Sequence, residues 1–168
     1  MADAFFGENI KLYLKEDDGS ATSFTAETDE ITTKVYSFEI SGGEFDTETK
    51  YLLGGASITI QKPQSPYEIS MEVAIKPSEA TIWDEIFFGA GLTSDTKGGP
   101  HTIGFEADDG TDKYQILFKN VEVISFERSI DGENELSGTL KFRLNATDSE
   151  GNPNILVGDT ANTVFTVN

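Results

Sequence analysis

KYQILFKNVEVISFERSIDGENELSGTLKFRLN, residues Lys113 to Asn145, is the stretch whose alternation decides the fold. In its second half Leu136, Gly138, Leu140, Phe142 and Leu144 take the even positions. Ser137, Thr139, Lys141, Arg143 and Asn145 take the odd ones. Period-two alternation of this length means a β-strand with one dry and one wet face. Tyr114, Ile116 and Phe118 alternate in the same way. The pattern then slips, because Val121 and Val123 are odd while Ile124 and Phe126 are even. A one-residue slip reverses the faces, so a bulge or bend is expected near Val123. Asp131-Gly132-Glu133-Asn134 joins the two strands, and Asp-Gly supplies the positive φ of a tight hairpin turn. The result is a long antiparallel meander with an apolar face that the rest of the chain must cover.

The 168 residues suffice for one domain with a real core, and 37% apolar residues with twelve Phe are too many for a disordered chain. No run of eighteen apolar residues occurs, so no helical membrane span and no membrane partner is expected. MADAFFGENIKLYLKEDD lacks the basic-then-apolar order of a secretory signal. Cysteine is absent, which excludes disulfides, thiolate metal sites and thiol catalysis. The net charge of −18 sets 30 acids against 12 bases, a balance that repels nucleic acid. Such acidity serves solvation, a salty habitat or a functional negative surface, although the ten lysines weigh against the habitat reading.

Outward from the meander, Ile10, Leu12 and Leu14 alternate with Lys11, Tyr13 and Lys15 and predict a first strand. It ends at the turn Asp17-Asp18-Gly19-Ser20. Residues 20–30 read as irregular, with Phe24 as an anchor. Ile31 to Ile40 reads as a second strand, with Tyr36, Phe38 and Ile40 on one face. Ser41 to Gly55, SGGEFDTETKYLLGG, reads as a long loop between glycine pairs. Its Phe45, Tyr51, Leu52 and Leu53 either fold back onto the core or mark a partner surface. Residues 56–61 form a strand that Pro63 and Pro66 end. Tyr67, Ile69, Met71, Val73 and Ile75 alternate without error. KPSEATIWDEIFFG, Lys76 to Gly89, is the helix candidate. Pro77 and Ser78 start it, Ile82/Ile86 and Trp83/Phe87 share its apolar face, and Gly89 caps it. Trp83 is expected in the core. Residues 89–100 form a glycine-rich connection, 102–107 a short strand, 146–153 a turn-rich connection and 163–167 a last strand.

No constellation for catalysis stands out. His101, in a glycine-rich stretch, reads as a surface-loop histidine without a second histidine or a nucleophile elbow to work with. Carboxylate pairs abound, but none rises above the background. The acidic turns at 108–112, 131–134 and 148–152 hold oxygen donors, yet none has EF-hand spacing, and Asp, Asn and Gly are ordinary turn residues. No phosphate-binding glycine motif occurs. No enzyme activity, cofactor or metal is expected.

Several features together resemble the tail tube proteins of tailed viruses, whose relatives include the hexameric tube protein of type VI secretion. They are the single helix (78–88) after an alternating strand, the long early loop (41–55), and the late meander through Asn120-Val121 and Asp131-Gly132 to LKFRLNA. The resemblance covers most of the chain through its layout. It implies a mostly β fold over residues 1–168: two packed antiparallel sheets forming a β-sandwich or barrel, with one short α-helix at about 78–88. It also implies a homo-oligomer of rings, stacked into a tube through which DNA passes without specific binding, with other tail proteins at the tube ends. The location implied is the virion tail, assembled in the host cytoplasm. The loop anchors Phe45, Tyr51, Leu52 and Leu53 would contact neighbouring subunits. The wet strand faces, with Glu39, Ser57, Thr59, Glu68, Ser70 and Glu72, would line the lumen. Lys141 and Arg143 make their strand face basic, so it is left unassigned. The alternatives are the tube of a type VI or contractile injection device, and a virion decoration or carbohydrate-binding β-sandwich.

Overall fold

A computed structural model describes residues 9–79, 81–130 and 136–168. The chain is mostly β. Its strands are β1 (Ile10–Glu16), β2 (Ser23–Phe24), β3 (Val35–Gly42), β4 (Thr47–Tyr51), β5 (Ser57–Gln61), β6 (Tyr67–Ala74), β7 (His101–Asp108), β8 (Lys113–Ile130), β9 (Leu136–Leu144), β10 (Ile155–Asp159) and β11 (Thr166–Val167). The helices are α1 (Ala26–Asp29) and α2 (Ile82–Phe88). The main sheet has the order β1-β7-β8-β9-β6-β3, with β10 also on β8. Every pairing within it is antiparallel.

Eighteen-residue β8 belongs to both halves of this sheet. Its first part pairs with β7 and β10, and its second part with β9. Two irregularities bend it. Between Phe118 and Val121 the register against β7 shifts by one residue, and Asn120 there adopts a φ of 55°. Between Val123 and Ser125 the register against β9 shifts again, which leaves Ile124 as the extra residue. Each bulge reverses the faces, so Phe118, Val121, Val123 and Phe126 all pack in one core despite their mixed parity. The bulge expected near Val123 is present, but Ile124 does not share the face of Phe126: it is exposed. The Asp131-Gly132 turn lies outside the described residues.

The bends curl the sheet into a half-barrel. Phe38 of β3 thereby reaches across to Phe118 of β8, 5.9 Å between ring centroids, and to Phe105 of β7, 6.5 Å. Ile69, Met71, Val73, Ile103, Val123, Leu140 and Phe142 fill the space between and are almost completely buried. Gly138 makes room for this packing, because a Cβ there would stand 2.4 Å from the Phe126 ring. A smaller cluster of Tyr13, Phe24, Leu117 and Phe165 packs on the other face of β1 and β8. Phe24 is the anchor expected of its segment, held on β2, which pairs in parallel with β11. Gln115 ties the C-terminal strand down: its Oε1 accepts from Val164 N at 3.0 Å and its Nε2 donates to Glu106 at 2.7 Å.

The helix begins later than its sequence suggests. Pro77–Glu79 make a 3₁₀ turn, and the α-helical residues are Ile82–Phe88. Trp83 is 1% exposed and donates from Nε1 to the Ala74 carbonyl at 3.0 Å, so its place in the core is as expected. Gly89 ends the helix at φ 83°, its N–H bonded to Glu85 O. The guanidinium of Arg128 pairs with Asp84 and lies over the rings of Phe126 and Phe88, at 5.0 and 5.8 Å. α2 thus packs against the second part of β8.

Three further expectations are corrected. The strand read from Ile31 starts only at Val35, after a 3₁₀ turn at Thr32–Lys34. β10 is an additional strand, and the last strand is only Thr166–Val167. His101 is no surface residue: it opens β7, is 3% exposed, and its ring meets Phe142 edge-on at 6.5 Å. Paired with Glu16 and Val121, it sits where the two halves of the sheet meet.

Two predictions arise from this architecture. Asn tolerates the left-handed conformation and β-branched residues do not. Asn120→Val is therefore expected to cost about 2–3 kcal/mol, and Asn120→Gly about 1 kcal/mol, since Gly loses only the Asn120–Asn154 side-chain bond of 2.8 Å. Urea unfolding midpoints would rank them, and a Val variant as stable as the Gly variant would refute the bulge. Burial holds the His101 pKa below its usual value, against the opposing effects of Glu16 and the Gly99 backbone. The unfolded chain then binds the proton more readily, so His101 favours the fold above about pH 6.5 and loses that contribution as pH falls below it. Between pH 7.5 and 5.5 the Tm of His101→Gln should fall less than that of the parent protein.

Candidate assembly surfaces

The stretch read as a loop is the root and first arm of a hairpin. β4 and β5 pair with each other, from Thr47↔Gln61 to Tyr51↔Ser57, and among the described residues with no other strand. The hairpin grows out of the β3–β6 ladder. Beyond the Gly42↔Tyr67 pair, Gly43 N–H bonds to Pro66 O at 3.2 Å, Ser65 N–H to Glu44 O at 3.0 Å and Lys62 N–H to Asp46 O at 2.8 Å. The kink between the two ladders needs glycine. Gly42 and Gly43 have φ of 88° and 68°, and a Cβ on Gly43 would stand 2.1 Å from the Tyr67 ring. Pro63 and Pro66 shape the returning arm.

Every residue of both arms is exposed. Pairing sorts the side chains. Thr47, Thr49 and Tyr51 share one face with Gln61, Thr59 and Ser57, and Glu48 and Lys50 share the other with Ile60 and Ile58. Phe45 near the root is 69% exposed, Tyr51 79%, and Leu52 and Leu53 stand open at the tip. The four loop residues singled out in the sequence are thus solvent-facing and none folds back onto the core. A two-stranded hairpin alone is marginal in water, and a concentration of exposed apolar groups of this kind marks a contact surface.

The second surface is the outer face of β3, β6, β9 and the second part of β8. The registers align Ser41, Glu68, Arg143 and Glu122 in one row, Glu39, Ser70, Lys141 and Ser125 in the next, and Ser37, Glu72, Thr139 and Glu127 in a third. Glu39, Glu68, Ser70 and Glu72 come together as their alternation implies. Ser57 and Thr59 do not join them, because they lie on the hairpin. Lys141 and Arg143 do not make a separate basic face. They stand among the carboxylates, Arg143 3.3 Å from Glu68. Glu122 and Glu127 complete the face, and the slip in β8 hides them from a simple parity count.

His101, the single histidine, is buried and belongs to neither surface. The acidic turns spend their carboxylates on themselves: Asp109 accepts the N–H groups of Thr111 and Asp112, and Asp148 those of Glu150 and Asn152, at 2.7–2.9 Å. These bonds hold both carboxyls below their usual pKa. Among the described residues no three His, Cys, Asp or Glu side chains converge as metal ligands.

No protein-family model matches the chain, and no curated protein matches its sequence. Solved structures do share its fold. A chain in the sheath/tube terminator of the PVC extracellular contractile injection system, in the extended state, superposes with a TM-score of 0.58 at 12% identity, covering 89% of this chain and 93% of its own. A chain in the anti-feeding prophage cap, a tube-terminating cap, gives 0.55 at 11% identity, covering 94% and 93%. A chain in the virion of a native gene transfer agent particle gives 0.50 at 12% identity, covering 92% and 99%. At such identities the likeness is one of fold.

Neither surface is expected to hold the fold together. No residue of 44–64 belongs to either hydrophobic cluster, so replacing 44–64 with a short Gly-Ser link should leave Tm within a few degrees. Arg143→Ala should change stability by less than about 1 kcal/mol, since its ion pair is exposed. Differential scanning calorimetry would check both, and a large drop in the loop-replaced chain would mean that the hairpin packs on its own subunit.

Proposed function

We propose that this protein is a structural subunit that joins copies of itself into rings, stacked into the tube of a phage-like tail. The observation that carries the reading is the hairpin: an arm whose two faces are both exposed among the described residues, with Ile58 and Ile60 beside Glu48 and Lys50 on one of them. In the assembled tube the Ile58/Ile60 face and the Leu52-Leu53 tip bury against a neighbouring copy, with Phe45 and Tyr51 at the margins. β3 and the second part of β8 end the outer-face half of the main sheet. Their backbone groups then pair between subunits, which removes two edges that would otherwise invite uncontrolled association.

The rows of Glu39, Glu68, Ser70 and Glu72 with Glu122 and Glu127 form the wall of the channel. Ser57 and Thr59 extend it along the polar face of the hairpin. Only Lys141 and Arg143 offset these carboxylates, so the wall stays negative and repels phosphate. A DNA conduit needs that property, because cargo held by the wall would not leave. The fold shared with the sheath/tube terminator and the tube-terminating cap supports a second reading within the same class, the tube of a contractile injection device. The negative, non-binding wall does not decide between cargoes. Other tail proteins would meet the tube at its ends.

Electron microscopy of the purified protein, with light scattering on the same sample, is the test. Rings or stacked tubes with a central hole are expected. Ile58→Asp/Ile60→Asp should abolish stacking while leaving the circular dichroism spectrum unchanged. A parent protein that stays monomeric at every concentration and with added tail-end seeds would overturn the proposal, as would a double variant that still forms full-length tubes.

A further inference from the structure

The two edges proposed to meet between copies carry the same sign of charge. On the outer face β3 presents Ser37, Glu39 and Ser41, and the second part of β8 presents Glu122, Ser125 and Glu127. All three carboxylates are exposed. β7 pairs with β8 only as far as Val121, so beyond it this side of β8 has no strand partner among the described residues. Lys141 and Arg143 lie inward of both edges, on β9, and Arg143 is held 3.3 Å from Glu68 of β6. Lys97 stands beside one edge carboxylate, 4.0 Å from Glu122, with both side chains well exposed. Among the described residues neither Glu39 nor Glu127 has an ion-pair partner.

Strand direction fixes how these edges would meet. β8, β9, β6 and β3 alternate in direction. In a ring of copies that all point the same way, β3 of one copy and β8 of the next therefore run antiparallel, and their outer-face side chains share one wall. Paired strands lie about 4.8 Å apart, and like charges on facing strands are destabilising. Whatever the register, Glu39 meets only carboxylates and hydroxyls on the facing strand, while Lys141 and Arg143 of that copy stand one strand further away. Each copy also has a net charge of −18, which opposes its approach to another. We propose that ring closure is gated by ionic strength: the acidic edges of β3 and β8 hold copies apart in dilute salt, and screening lets them pair. This rests on the proposed ring assembly. The Debye length falls from about 30 Å at 0.01 M to about 10 Å at 0.1 M salt. Interfaces of opposite charge weaken over that range, whereas this one strengthens.

Sedimentation and electron microscopy of the full-length chain across sodium chloride concentrations are the test. From about 20 to about 500 mM, the protein concentration at which rings appear should fall roughly tenfold. Glu39→Lys and Glu127→Lys each set a base against the remaining acids of the junction. Each should assemble in dilute salt, with its salt response cut to about twofold or less. Combining both with Glu122→Lys sets bases against a base, so the triple variant should need salt again although it is less negative than the parent. Asp112→Lys, in the exposed turn between β7 and β8, makes the same charge change away from the junction and should keep the parent's response. Circular dichroism spectra should be unchanged throughout. A parent that assembles equally well, or better, in dilute salt would overturn this inference and leave the ring assembly standing. So would single variants that keep the parent's response, or an Asp112→Lys variant that loses it. A parent without rings at any salt, even with tail-end seeds, would overturn the ring assembly itself and this inference with it.

Discussion

The structure depends on the double bend of β8. A straight eighteen-residue strand would hold one flat sheet, with its even residues on one face throughout. Two extra residues, at Asn120 and Ile124, instead reverse the faces twice. The first part of the strand can therefore serve the β1–β7–β10 half and the second the β9–β6–β3 half, while both contribute to one core. The strained φ at Asn120 is offset locally, since its side chain donates to Asn154. His101 lies buried at the same junction. A left-handed Asn and a buried imidazole thus both lie where the sheet turns.

That curl separates the chemistry of the two faces. Inside are Ile, Leu, Val, Met, Phe and the single Trp. Outside, on the β3–β6–β9–β8 half, the registers bring carboxylates, hydroxyls and two cations into rows. Exposed ion pairs of this kind contribute little to stability, so they account for what the surface attracts or repels and not for how the chain folds. The hairpin follows the opposite logic. It holds several of the most exposed apolar side chains in the protein, yet contributes none to the core, and its glycine-proline root aims it away from the β3–β6 ladder. A chain that keeps such an arm in water is suited to association, which is why the hairpin carries the proposed function.

The alternation in Lys113–Asn145 and in Tyr67–Ile75 made the long strands, their dry faces and the existence of a bulge legible from the sequence alone. So were the buried Trp83 and the Gly89 cap, because period and capping are local properties that few residues determine. The sequence also singled out Phe45, Tyr51, Leu52 and Leu53, and the grouping of Glu39 with Glu68, Ser70 and Glu72.

Pairing was decided only in three dimensions. Residues 56–61 alternate as well as any core strand, yet they pair with 47–51 in an exposed hairpin, since period two reports a strand and not its partner. Ser57 and Thr59 therefore left the group to which parity assigned them. Lys141 and Arg143 look basic along the chain but sit among carboxylates contributed by other strands. His101 reads as a loop residue beside glycines, and only the meeting of β1, β7 and β8 buries it. Local periodicity determined the long strands and the helix, though not β4, β10 or the 3₁₀ turn at Thr32–Lys34. The registers between distant strands, set by two single-residue bulges and one glycine-rich root, determined which side chains meet and which face water.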